Sequence, residues 1–546
     1  MRYLLVLGLL SCSTRPVQPS ASDAPAAIRT SSVPPIPKNI FDSLAPYEHA
    51  RSASFQDWSP DGTRILISTR FGETSQLHLV HGPGGRREQL TFFEEPVSGG
   101  FFLKDGSIIF SAGRGGDENF QIYRMTSKRH VEVLTDGKSR NNAGVRAPDG
   151  KRFVFSSNKR NGRDSDLFIW NNATIEPLME VNREFWGAAD WSPDGSMLLL
   201  RRTVSVNESY PFVMDLNTKE KKAIPIPGGK AAYGSMRFAP DGKSVLVATD
   251  AQHEFKTLAR VDLETMKYTW LTEDIPWDVD DIEVGDGRIA FSVNEDGMTR
   301  VHFLDSKTWQ RRPVDIPMGL ASGLEFHGDR LAMTINRPDA PGDVYVLDST
   351  LTRWTYSEIG PLDASMFVQP RRIQFPTFDG RTIPAYYYPA RRRGKAPVII
   401  SIHGGPEGQY RPSFSALTQF WVTELGCAVI GPNVRGSTGY GKTYVALDNG
   451  FKREDSVRDI GALLDWIAKQ PELDASRVAV TGGSYGGYMV LASLVMHGDR
   501  IRAGVDIVGI SNFISFLETT SAYRQDLRRV EYGDERDPAM REHLNN

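Results

Sequence analysis

The residues best suited to covalent chemistry lie in RVAVTGGSYGGYMVLASL, residues 477–494. A serine hydroxyl acts as a nucleophile when the backbone lifts it clear of its neighbours and a base accepts its proton. Gly482-Gly483-Ser484-Tyr485-Gly486 has the G-x-S-x-G pattern, placed after an apolar strand-like run and ahead of a helix-like one. Small residues on both sides of Ser484 allow a sharp turn, and the free N–H groups of the following helix would face developing negative charge. One donor for an acyl oxyanion is expected from the N–H of Tyr485. The other is expected from the loop His403-Gly404-Gly405-Pro406, where Gly404 and Gly405 leave no Cβ between backbone and substrate. His403 sits in this donor loop and is read as shaping its turn rather than as the base.

A base and an orienting acid should follow the serine, in the chain order Ser, Asp or Glu, His. Only 62 residues follow Ser484, and their histidines are His497 and His543. His497 ends the helix that starts under the nucleophile, and His543 lies in a charged helical stretch. Asp506, Asp534 and Asp537 are no better placed as the acid. The expectation is that the catalytic Asp and His are missing from these 546 residues, together with the last strands of the sheet. That would leave an open apolar edge, and negligible peptide hydrolysis by this polypeptide.

The elements around the serine read as strands alternating with helices. RRIQFPTFDGRTIPAYYYP (371–389) is a hairpin turning at Asp379-Gly380, and APVIISIHGGP from Ala396 and CAVIGPNVRG from Cys427 are strands. Val457, Ile460, Leu463, Leu464 and Ile467 recur at helical spacing; a helix over Gly487 to Met496 and the strand AGVDIVGIS from Ala503 follow. This alternation predicts a mostly parallel sheet.

Upstream the period changes. WSPDGTRILIS, FLKDGSIIFSA, RAPDGKRFVFSS, WSPDGSMLLL, FAPDGKSVLVA and EVGDGRIAFSV are successive copies of one unit, and FHGDRLAMTI is a degraded seventh. Their glycines, Gly62, Gly106, Gly150, Gly195, Gly242, Gly287 and Gly328, are spaced 44, 44, 45, 47, 45 and 41 residues apart. Pro-Asp-Gly makes a turn and the apolar run after it a strand, and this period fits one four-stranded propeller blade. The chain is therefore read as a seven-bladed β-propeller over 46–362, followed by an incomplete α/β-hydrolase domain over 363–546.

Three segments resemble the prolyl oligopeptidase family of serine peptidases (S9), particularly its acylaminoacyl-peptidase-like and dipeptidyl-peptidase-like members. They are HGGP from His403, NVRGSTGYG from Asn433 and DASRVAVTGGSYGGYM from Asp474. The repeats resemble the WD40-like blades of that family and of TolB. The resemblance implies a propeller capping the hydrolase domain, Ser484 as nucleophile, and Tyr485 with Gly404-Gly405 as oxyanion site. It further implies that Tyr488 and the Arg435–Tyr440 loop shape the pocket, and that short peptides are cleaved through an acyl-enzyme. Dipeptidyl peptidases resemble one another in a pair of propeller glutamates that bind the substrate amine. Only Glu184, beside Arg183, stands near such a place here, and its spacing does not match. Oligopeptidase or acylaminoacyl-peptidase activity is therefore preferred. An esterase of the same fold and a non-catalytic periplasmic propeller that binds or scaffolds are the alternatives.

Composition narrows the field further. Net charge is -3, with 64 basic and 67 acidic residues, so no nucleic-acid partner is expected. No metal-ligand cluster, P-loop or dinucleotide fingerprint occurs, so no cofactor is expected. The chain opens MRYLLVLGLLSCS, and Leu9-Leu10-Ser11-Cys12 resembles a bacterial lipobox. Residues 1–12 are read as an export signal with lipidation at Cys12, and 13–45, rich in Pro, Ser and Ala, as a tether. The expected location is the periplasm or, through lipidated Cys12, a membrane surface; plain secretion and the cytoplasm are the alternatives.

Overall fold

The computed structural model describes residues 37–545. Cys12, with the export and lipidation reading attached to it, lies outside the described residues. Seven sheets occupy residues 54–89, 97–133, 141–179, 185–223, 233–270, 278–314 and 320–353, each of four antiparallel strands in sequential order. The repeat glycine lies between the first and second strands of every sheet, with φ from +56° at Gly328 to +81° at Gly106. That left-handed backbone is what makes glycine the residue of choice there. The preceding aspartate caps the turn: Asp61, Asp149, Asp194 and Asp241 accept from the N–H two residues on, at 2.7–3.0 Å.

The second strand of each blade is buried on both faces because a blade lies between two neighbours; Ile65, Leu66 and Ile67 are fully enclosed. The ring closes where blade one meets blade seven. Phe55, Trp58 and Ile67 share one cluster with Ala332, Val344 and Trp354, and the Trp58 and Trp354 rings meet edge-on at 5.6 Å. Ala53 N–H donates to the Gly342 carbonyl and Phe55 N–H to Thr334 Oγ1, both at 2.8 Å.

Charged side chains from several blades converge on the ring axis. Arg146 of blade three reaches Asp57 of blade one at 2.5 Å and Glu325 of blade seven at 3.1 Å, while Arg237 stands 3.6 Å from Glu283. Burial pushes the Glu283 carboxyl up to about 7 despite that guanidinium. The native state therefore keeps a proton that the unfolded chain releases near its ordinary value of 4.5. This contribution to stability is complete below that value and is lost as pH rises through about 7. Denaturant unfolding between pH 5 and 8 is expected to show a decline on the order of 3 kcal/mol from this group, flattened in Glu283→Gln.

The second domain is a six-stranded sheet. Its strands run in spatial order Arg371–Pro376, Thr382–Tyr388, Ala428–Pro432, Ala396–Ile402, Leu473–Gly483 and Ala503–Ile507. The first two pairings are antiparallel and the last four strands are parallel. Ile400, Ile430 and Val480 pack beneath Val457, Ile460, Leu463, Leu464 and Ile467 of the helix Asp455–Ala468. The Ala503–Ile507 strand pairs on one side only among the described residues, leaving Val505 and Ile507 each 55% exposed.

One reading needs correction. The tether was expected to run to residue 45, but Lys38–Glu48 is a helix. Ile40, Leu44 and Tyr47, at helical spacing, put an apolar stripe against Phe367 and Phe420, and this stripe outweighs the disorder-prone composition upstream. The Tyr47 hydroxyl donates to Glu424 at 2.9 Å. Among the described residues no helix is long and apolar enough to cross a membrane.

Candidate active site

Strand Leu473–Gly483 runs straight into helix Tyr485–His497, with Ser484 as the turn. Ser484 takes φ +56° and ψ −119°, a strained conformation for a residue with a β-carbon, of the kind found where structure serves chemistry. Its N–H donates to the Ile507 carbonyl at 2.9 Å, and its own carbonyl accepts from Gly487 and Tyr488. The side chain is exposed, and Oγ makes no hydrogen bond among the described residues. The neighbouring glycines are required by contact. A Cβ on Gly486 would lie 2.3 Å from the Ile402 carbonyl oxygen, and one on Gly482 would lie 2.4 Å from that of Gly486.

Gly404 lies against the nucleophile, its Cβ position 3.6 Å from Ser484 Cβ. Tyr485 is the first residue of the helix, so its N–H has no intrahelical acceptor. Gly404 and the first N–H of the helix therefore both lie beside Ser484. Gly405 follows with φ +140°, and its carbonyl accepts from the Tyr532 hydroxyl at 2.8 Å. Two residues on, burial and the neighbouring Glu531 carboxyl push Glu407 well above the usual carboxylate range.

A buried ionic group supports this face from behind. The Tyr485 hydroxyl donates to Asp448 at 3.0 Å, and Arg453 reaches the same carboxylate at 2.5 Å while lying over the Tyr485 and Tyr532 rings. Burial raises Asp448 to about 6. Nothing in the sequence singles out Asp448, Arg453 or Tyr532. The nearest signal is the lone aromatic of RRVEYGDE, just ahead of a glycine.

No imidazole among the described residues hydrogen-bonds to Ser484. His403 donates from Nδ1 to the Gly404 carbonyl at 2.7 Å, and its Nε2 lies 2.8 Å from Ser437 Oγ. Both nitrogens thus hold the loop, and burial keeps the ring neutral. His497 lies at the far end of a 13-residue helix, about 18 Å along its axis, against Gly461. His543 packs on Phe451. Asp506 accepts from Gly509 N–H, Asp534 pairs with Arg536, and Asp537 caps the last helix.

Several known proteins are similar to this chain. Residues 412–545 match the model of the prolyl oligopeptidase family, peptidase S9. Dipeptidyl aminopeptidase BIII of Pseudoxanthomonas mexicana is 27% identical over 467 residues, covering 76% of this chain and 64% of that protein. An uncharacterized peptidase of Bacillus subtilis, YuxL, is 27% identical over 513 residues, 86% of this chain and 75% of its own length. Among solved structures, one of two prolyl endopeptidases superposes with a TM-score of 0.81 at 18% identity, over 93% of this chain and 79% of that one. Puromycin hydrolase gives 0.76 at 19%, over 92% and 84%. Residues 412–545 thus form a domain of the prolyl oligopeptidase family.

The remaining residues expected in the pocket divide. Tyr488 stays near the nucleophile, half-buried, with its ring 4.8 Å from Phe513 and 5.5 Å from Tyr485. Arg435 does not serve the pocket. Its guanidinium is buried, forked onto Asp459 at 2.8–2.9 Å and held by Asp379 at 3.1 Å, so it is engaged within the fold. Tyr440 joins the domains, donating to Asp296 of blade six at 2.8 Å beside the Arg411–Asp280 and Thr443–Glu254 contacts. Glu184 faces the gap between the domains, but its carboxylate is already occupied, by Trp186 Nε1 at 2.7 Å and Arg202 at 2.8 Å. It is not a free amine-binding group.

Proposed function

We propose that this protein is a serine-type peptidase that cleaves short peptides through an acyl-enzyme on Ser484. The observation that carries the reading is the exposed Ser484 side chain at φ +56°, set between Gly404 and the first N–H of a helix. Ser484 Oγ would attack the scissile carbonyl, and the N–H groups of Tyr485 and the Gly404–Gly405 loop would receive the negative charge on its oxygen. Expulsion of the amine leaves the acyl group on Oγ, and water then releases it. The base in this reading comes from outside the described residues, because no imidazole within them hydrogen-bonds to Ser484. Engagement of Glu184 by Arg202 and Trp186 favours oligopeptidase or acylaminoacyl cleavage over removal of dipeptides. The lack of a base at Ser484 among the described residues is the one feature that favours the second reading, a non-catalytic propeller that binds peptides.

Protein isolated from the cells that make it should be labelled by a fluorophosphonate at Ser484, located by peptide mass mapping, and Ser484→Ala should take no label. Labelling at another serine, or none in the native protein, would reject the peptidase reading in favour of the binding one.

A further inference from the structure

Helix Gln525–Tyr532 and the loop before it face the third and fourth blades across a cavity of about 450 Å³. Its walls include Asp164, Arg183, Glu184, Arg202, Tyr523 and Asp526. The same helix ends at Tyr532, whose hydroxyl holds the Gly405 carbonyl. At about 1.5 Å per residue, the cavity opens one to two helical turns from the oxyanion loop. A peptide with its scissile bond at Ser484 would reach it within a few extended residues, at about 3.3 Å each.

The carboxylates of this cavity are paired with arginines, and one guanidinium, that of Arg183, is left over. Asp164 is paired with Arg163 at 2.8 Å, Glu184 with Arg202 at 2.8 Å, and Asp526 with Arg529 at 2.8 Å. The exposed Arg183 side chain has no partner among the described residues, and the buried Arg202 Nε–H has no acceptor. Arg183 is also held in place by design of the loop around it. It takes φ +54°, a backbone that residues with a β-carbon seldom adopt. Buried Asp164 accepts its N–H at 3.0 Å, and buried Asp166 accepts the N–H of Val181 at 2.9 Å. Arg160 closes the loop by donating to the Val181 carbonyl at 2.6 Å. A strained loop fixed by two buried carboxylates thus presents one unpaired guanidinium to a cleft between the domains.

We propose that this cavity binds a carboxylate of the peptide substrate, with Arg183 and Arg202 as donors, so that the protein selects short peptides with an anionic end. The proposal rests on the peptide-cleaving reading of Ser484. A guanidinium with free N–H groups in a partly desolvated cleft favours a carboxylate over a neutral amide of the same shape. The carboxylate could be the peptide's C-terminus or an acidic side chain, and the two are separable.

The test is calorimetric titration of the Ser484→Ala protein with N-acetylated pentapeptides. One pair ends in a free carboxylate or a carboxamide, and a second pair carries Glu or Gln at its last position. The expected result is binding about 10-fold tighter for the carboxylate member of one pair, falling to within about twofold in Arg183→Ala with affinity for the neutral member unchanged. Preference in the first pair identifies the C-terminus, and in the second an acidic side chain. Equal affinities throughout, or a preference that survives Arg183→Ala, overturn the proposal. If Ser484 of the native protein takes the fluorophosphonate while the pairs bind equally, this inference fails and the peptidase reading stands. If Ser484 takes no label and no pentapeptide binds, both fall.

Discussion

A polypeptide of these 546 residues is expected to hydrolyse peptide anilides no faster than about 10³–10⁴ times the uncatalysed rate, and Ser484→Ala is expected to change that residue of activity little. Removing the nucleophile of a complete serine peptidase costs on the order of 10⁶ in kcat. Here the cost should nearly vanish, because no imidazole among the described residues hydrogen-bonds to the Ser484 hydroxyl. His403 has both nitrogens engaged, His497 is about 18 Å away along its helix, and His543 rests on Phe451. What would remain is the charge stabilisation proposed for the N–H groups of Tyr485 and the Gly404–Gly405 loop, which does not need Oγ. The measurement is progress curves for both proteins with one anilide at several pH values. A burst, or turnover that Ser484→Ala abolishes, would show that a base does stand within reach.

Arg435→Ala should be the most damaging single substitution for stability in the second domain, lowering it by about 3–5 kcal/mol in urea unfolding. Asp459 is fully buried, and burial raises its carboxyl even with the guanidinium forked onto it. Without Arg435 the carboxylate stays in that interior with only Thr377 and a backbone N–H as donors. Its pKa would rise further, so the native state of the variant would hold a proton that the unfolded chain has lost. The deficit should therefore grow as pH rises above the ordinary carboxylate range and shrink toward pH 4. Arg435→Lys should recover only part of the loss, since an ammonium cannot span both oxygens. Arg435→Ala with Asp459→Asn should recover more. A deficit under about 1 kcal/mol at pH 7 would mean that the pair is a surface-like contact, contrary to its burial.

The features legible in the sequence are those that the backbone itself demands. Seven glycines at a period near 45 mark seven turns because each turn needs a left-handed residue. The Gly482–Gly486 elbow is legible for the same reason, since close backbone contacts forbid side chains there. Arg435 was misread because its partner Asp459 lies 24 residues on, and only the packing of helix Asp455–Ala468 brings the two together. The Lys38–Glu48 helix was hidden by the Pro- and Ser-rich run before it. Tyr532 and Asp448 act through long-range contacts with Gly405 and Tyr485, which leave no local pattern.

That amino-terminal helix also bears on how the propeller stays shut. Each sheet is built from consecutive strands, so no blade is woven from both ends of the ring, and blades one and seven meet only through side chains and a few hydrogen bonds. Lys38–Glu48 precedes blade one, yet Tyr47 is seated on Phe367, which follows blade seven, and on Phe420 beyond it. The helix is thus a clasp outside the ring, tying together two points separated by the whole propeller. Opening at the seam would have to unseat Tyr47 as well as separate Trp58 from Trp354. Once either contact holds, the other closes at far less cost in chain entropy. Latch and seam therefore stabilise each other, and the segment that reads as a loose leader serves as the fastening of the ring.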